Sequence, residues 1–210
     1  MIVQKKSKLS PPRIYEGSTI QEMFDNGMDY FYNSFLKKEV KPRFQGRDIF
    51  FDMNKMFQRY FQMPYPLSFM HIASLNDDEK YTLYPCTNDF SYELCLNRCD
   101  LNLAQNSFKT YSRWDCLYRL HRIHWIPEIF SLLADDDEDI QVTQVSKTDG
   151  KKRFVDFNIR YCCGMDDYLI VLRERKDRGD FLFITAFPVV TKHKKAELDK
   201  LFENKKASPR

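Results

Sequence analysis

The last third of this 210-residue chain constrains its fold most. Four segments, "IQVTQVSK", "KRFVDFNIRYCC", "DYLIVLRER" and "DFLFITAFPVV", are rich in β-branched and aromatic residues and read as strands. Short polar links containing "DG", "GMD" and "DRGD" join them and suit hairpin turns. Strands joined by links this short run antiparallel, because a parallel crossover needs roughly a dozen residues or more. An antiparallel meander of four strands follows, closed by a charged helix over Lys192–Asn204.

Upstream the periodicity changes. Ile20, Met23, Phe24, Met28, Phe31, Phe35 and Leu36 recur at three- and four-residue steps, which predicts a helix over 18–38. Ser18 followed by Glu22 is close to a capping box. "KPRFQGRDIFFDMNKMFQRYFQ" suggests a short strand and a second, aromatic helix, ended by Pro64 and Pro66. "SFMHIASL" then reads as an apolar strand. Trp114–Leu133 reads as a helix that stops at "ADDDED", a solvated acidic turn. The class is α+β: N-terminal helices followed by a four-stranded antiparallel sheet and a C-terminal helix. Residues 1–17 are basic and carry Pro11, Pro12 and Gly17, as in a flexible arm. Residues 18–210 read as a single α+β domain with an irregular, cysteine-containing insertion at about 76–112.

Composition narrows the function classes. Aromatics at 15% with only six glycines imply a packed core, not a disordered chain. A net charge of +3, from 33 basic and 30 acidic residues, permits nucleic-acid binding without requiring it. No apolar run approaches the ~20 residues that span a bilayer. The N-terminus lacks the apolar core of a secretory signal. The expected compartment is therefore the cytoplasm, away from membranes, with cysteines that are reduced, buried or metal-bound. P-loop, GxGxxG, HExxH and GxSxG patterns are absent, which weakens nucleotide hydrolysis, dinucleotide chemistry and zincin proteolysis.

The stretch "CLYRLHRIHWIPEIF" is the chemically unusual one. On a continuous helix, Arg119 shares a face with Ile123, Ile126, Ile129 and Phe130, and Arg122 and Trp125 flank it. His121, His124 and Glu128 fall opposite. An arginine on an apolar face must be paired or must line a cleft. One reading is a structural ion pair; the other is a guanidinium held ready for a phosphate. His121 and His124 suit general acid–base work on RNA, or surface pairing with Glu128 or the acidic run. His71, in "SFMHIASL", is either a satisfied core residue or a catalytic one. Thr185 is the polar residue of a strand face shared with Phe181, Phe183 and Phe187. Its hydroxyl either bonds nearby backbone or contacts a phosphate. Arg173 and Arg175 share a strand face and suit an RNA backbone. Cys86, Cys95, Cys99 and Cys116 are four thiols within ~31 residues, enough for one tetrahedral zinc if they are not simply buried. Cys162 and Cys163 are adjacent in a strand and point to opposite faces.

Taken in order, "SFMHIASL", "YRLHRIHWIPEIF", "DYLIVLRE" and "FLFITAFPV" resemble the phage- and mobile-element nucleases of the barnase/EndoU/colicin/RelE superfamily, over about residues 42–200. The resemblance implies helices followed by a four-stranded antiparallel sheet. It also implies a metal-independent ribonuclease, often a toxin of a toxin–antitoxin or phage-defence system, with RNA as substrate and an antitoxin or inhibitor protein as partner. It points to His71, Arg119, Arg122 and Thr185 as catalytic and to Trp125 as a base-stacking residue. No catalytic cofactor is implied, and any zinc on the cysteines would be structural. Two rivals stand beside it. Arg119 and His124 match the Rx4-6H spacing of the all-helical HEPN ribonucleases. A non-enzymatic RNA- or protein-binding module would use its basic residues in ion pairs.

Overall fold

The structure is a computed structural model that describes residues 5–37, 39–59, 62–76, 113–150 and 152–206. The chain forms two compact units. One comprises residues 1–11, 41–51 and 125–210; the other comprises 12–40 and 52–124. The fold is α+β, with helices and a large sheet.

The first unit holds the sheet. The expected meander is present as β7 (Ile140–Asp149), β8 (Lys152–Cys163), β9 (Asp166–Arg175) and β10 (Asp180–Pro188), each antiparallel to the next. The sheet is nevertheless not the four-stranded antiparallel one expected. It has six strands and is mixed, in the order β1-β2-β10-β9-β8-β7. The segment read as one short strand is a hairpin of β1 (Arg43–Phe44) and β2 (Arg47–Phe50), and β2 runs parallel to β10. An open β10 edge would leave a row of unpaired backbone groups, and this hairpin covers part of it.

Each sheet face has its own packing. On one, Phe44, Phe157 and Phe181 meet edge to face, with centroids 4.9–5.3 Å apart, and all three are buried. Burying each such ring is worth about 1.5–3 kcal/mol. On the other lies the C-terminal helix, Lys192–Lys206. Its Leu198 and Phe202 pack with Leu169, Val171 and Val189, and Ile184, Phe187 and Leu201 border them. The register of β10 against β9 shifts between Phe183 and Thr185. This bulge corrects the expectation that Phe181, Phe183, Thr185 and Phe187 share one face. Phe183 stacks on Phe51, whereas Phe187 joins the cluster under the C-terminal helix. An extra residue in a strand inverts the alternation beyond it.

Residues 5–10 lie along this unit. Lys5 pairs with Glu138 and, at 2.7 Å, with Asp139; Lys8 reaches Asp137 at 2.7 Å and Asp139 at 3.0 Å. The acidic run expected to be a solvated turn therefore binds two lysines. The Asp137 side chain is 14% exposed and that of Asp139 only 9%. The Lys8 amide donates to the Tyr161 hydroxyl at 2.9 Å. Close approach of this segment requires Gly164, whose φ is +61. A Cβ there would sit 2.6 Å from the Lys5 carbonyl oxygen.

The second unit is helical with two small hairpins. Its α1 (Ile20–Phe31) continues as a π-helical turn, Tyr32–Leu36. The cap is Thr19, not Ser18. Thr19 accepts from the Glu22 amide at 3.2 Å, and Glu22 accepts from the Ser18 amide at 2.6 Å, satisfying two amide donors at the helix start. The expected aromatic helix is instead a hairpin, β3 (Met56–Arg59) with β4 (Gln62–Pro66). The expected strand around His71 is instead α2, Leu67–Ala73. Ser68, Phe69, Met70, Ile72 and Ala73 are all buried, so this helix shows no amphipathic period and its sequence mimics a buried strand. Ser74–Asn76 (β5) pairs with Arg113–Asp115 (β6). α3 (Leu117–Leu120) approaches α1 so closely that a Cβ on Gly27 would meet Leu120 Cδ1 at 2.6 Å.

Candidate functional site

The helix expected over 114–133 is divided. It contains β6, then α3, a turn at 121–124, and then α4 (Trp125–Ala134). The turn resets the helical phase, so the wheel that put His121 and His124 on a wet face does not apply. His121 is fully buried and its ring stacks on Tyr15 at 6.3 Å; His124 is 5% exposed. The Arg13 amide donates to the His121 carbonyl at 2.8 Å.

Arg119 and Arg122 are buried too, at 2% and 6% exposure. Arg119 donates from Nη1 to the Ser74 carbonyl at 2.7 Å. Ser74 caps the C-terminal end of α2, and its own hydroxyl bonds the Met70 carbonyl. Arg119 therefore places a positive charge where the helix dipole is negative, three residues beyond His71. His71 lies in the last turn of α2 and is half-buried. Arg122 donates from Nη1 to the Tyr118 carbonyl at 2.9 Å and lies over the Tyr118 ring at 3.6 Å. His71, Arg119 and Arg122 thus belong to one unit, where Arg119 meets the end of the His71 helix and Arg122 shares a turn with His121 and His124.

The other expected residues fall in the sheet unit. Trp125 is 3% exposed; its Nε1 donates to the Ser10 carbonyl at 2.8 Å and its ring meets Tyr168 edge to face at 5.7 Å. Its indole is thereby used in packing. Glu128 accepts from both the amide and the hydroxyl of Ser10. Arg173 forms a two-pronged pair with Asp156, at 2.7 and 3.2 Å, and covers Phe154 at 3.6 Å. Arg175 forms a similar pair with Asp180 and lies 4.2 Å from the Phe50 ring. Burial opposes ionisation of Asp156, but Arg173 and Lys147 outweigh it and hold its carboxyl below the usual range.

Thr185 is half-buried on β10. The register pairs Thr185 with Val171, Val171 with Asn158, and Asn158 with Thr143. Cross-strand partners share a face, so Thr143, Asn158 and Thr185 lie on one face, with Val171 of the apolar cluster between the last two. Thr143 Oγ1 is buried and has no hydrogen-bond partner among the described residues. Asn158 and Thr143 were not singled out in the sequence. Their signal is a register count that becomes possible only once the bulge in β10 is known.

Arg160 is another omission. It is 2% exposed and takes Asp167 in a two-pronged pair at 2.6 and 2.8 Å, with Asp199 of the C-terminal helix at 2.8 Å. The Asp167 carboxylate raises the guanidinium's affinity for its proton. On the adjoining Cys162, burial pushes the thiol pKa up. Cys163 Sγ donates to the Lys6 carbonyl at 3.4 Å.

Of the four cysteines considered for zinc, Cys116 is buried, and Cys86, Cys95 and Cys99 lie outside the described residues. Among the described residues no group of three or more His, Cys, Asp or Glu is arranged to hold a metal. Among them also, no helix is long and apolar enough to cross a membrane. No family model, curated protein or solved structure matches the chain.

Proposed function

We propose that this protein is a metal-independent endoribonuclease in which His71 moves protons. The observation that supports it is the bond from Arg119 to the Ser74 carbonyl, which fixes the end of the helix carrying a half-buried histidine. The reaction is attack of a ribose 2′-oxygen on the adjacent phosphorus. The P–O5′ bond breaks, a base takes the 2′ proton, and the departing 5′-oxygen receives one. A histidine titrates near neutral pH and can serve either transfer. Arg119 and Arg122, being buried, act as positioning residues that hold the His71 helix and its surroundings. On the sheet unit, half-buried Thr185 supplies a hydroxyl suited to RNA contacts. A growth-inhibiting toxin restrained by an antitoxin protein is the biological setting this chemistry fits.

A non-enzymatic module is the second reading. The burial of Arg119 and Arg122 and the internal pairing of Arg160, Arg173 and Arg175 favour it. The HEPN alternative has Arg119 on a short helix and His124 in the turn that breaks it, in a chain with a six-stranded sheet. Purified protein incubated with single-stranded RNA separates the first two readings. The nuclease cleaves, and His71→Ala lowers the rate about 100-fold or more at unchanged melting temperature. Intact RNA with the parent protein leaves the module.

A further inference from the structure

A cleft of about 710 Å³ opens at the far end of the β7, β8 and β9 hairpins, remote in sequence from His71. Lys147, Arg153 and Lys176 line it, with Ser146, Thr148 and the ring of Phe154. Two carboxylates, Glu174 and Asp177, also line it. Their charges are not equivalent. Glu174 is bound by Arg47 at 3.1 Å, and Lys147 by Asp156 at 2.9 Å, so these two largely cancel within the protein. Asp177 is 81% exposed and 4.0 Å from Arg178. Arg153 and Lys176 are exposed and have no carboxylate partner among the described residues. The uncompensated charge at the rim of the cleft is therefore cationic.

Phe154 supplies the second element. It is half-buried, and the Arg173 guanidinium lies 3.6 Å from its centroid. Arg173 is in turn fixed by Asp156. A ring ordered in advance loses little freedom when a flat ligand stacks on it. Cations at spacings that follow strand ends, beside one fixed aromatic ring, are the combination that grips a phosphodiester backbone and one base without reading sequence. We propose that this cleft docks a single-stranded RNA segment, with one base on Phe154 and backbone phosphates on Arg153 and Lys176. The inference rests on RNA as the ligand class and adds a docking site apart from the catalytic histidine.

The test uses full-length protein carrying His71→Ala, so that RNA survives, and a fluorescein-labelled single-stranded RNA of mixed sequence followed by anisotropy. Arg153→Glu with Lys176→Glu is expected to weaken binding at least 10-fold and to lower the slope of log affinity against log salt by about 1.4, for two lost phosphate contacts. Phe154→Ala is expected to weaken binding about 5- to 150-fold, with Phe154→Trp restoring it. Melting temperature checks that each variant is folded. Unchanged affinity and slope in the charge-reversed protein overturn the proposal. So does equal competition by polyglutamate together with a silent Phe154→Ala, which marks a site for acidic protein. Binding that depends on this cleft in a protein whose parent leaves RNA intact refutes the nuclease reading alone.

Discussion

Replacing Arg160 by methionine is the sharpest test of how the sheet unit is held together. The guanidinium is 2% exposed and makes two bonds to Asp167 and one to Asp199. Methionine keeps the volume and removes the charge. The Asp167 side chain, 3% exposed, is then left ionised in a dry place, with Lys195 at 4.0 Å the remaining cation against it among the described residues. Breaking a buried pair from one side costs about 3–5 kcal/mol. The partial relief from Lys195 sets the expectation at the lower end, about 3 kcal/mol. At about 2–4 °C per kcal/mol for a chain of this size, the melting temperature falls by roughly 6–12 °C. Asp199→Ala removes the half-exposed partner, whose side chain is 47% exposed, and should cost less than about 1 kcal/mol. Arg160→Met with Asp167→Leu removes both charges and should recover most of the loss. Urea and thermal unfolding measure all three. A cost below about 1 kcal/mol for Arg160→Met, or a double variant worse than the single, refutes the reasoning.

Two further expectations concern residues 5–10 and acid stability. Gly164→Ala forces a side chain onto a φ of +61 and against the Lys5 carbonyl, and should cost about 1–3 kcal/mol with faster proteolysis near Lys5 and Lys8. An unchanged melting temperature would contradict it. Asp137 is held below the usual carboxylate range by Lys8. At Asp139 burial opposes ionisation, but Lys5 and Lys8 prevail; at Asp156 Arg173 and Lys147 do. A carboxyl whose folded pKa is lowered adds stability that is present above its unfolded value and lost as pH falls through the folded one. Stability should therefore be level from about pH 5 to 7 and fall below about pH 4, less steeply in Asp156→Asn. Equal acid sensitivity of the parent and Asp156→Asn would count against these pairs.

The meander was legible because alternation, β-branched residues and short turns all point one way there. The hairpin at Met56–Pro66 was not, since a dense aromatic run carries helical and strand periods alike until its partner strand is known. Helix α2 was hidden by burial on every side. The histidines were misplaced because a four-residue turn breaks the phase of the helix that was assumed continuous. Arg160 with Asp167 was within reach: both precede or follow the "GMD" turn and lie diagonally across the β8–β9 ladder. Its bond to Asp199 was not, because that contact depends on where the C-terminal helix packs.

The chemistry of the cleaved ends tests the central proposal most directly. RNA incubated with the parent protein in excess chelator should yield fragments ending in 2′,3′-cyclic phosphate and 5′-hydroxyl, and His71→Ala should yield almost none. Intact RNA, or fragments with 3′-hydroxyl ends that form only when metal is restored, would contradict it.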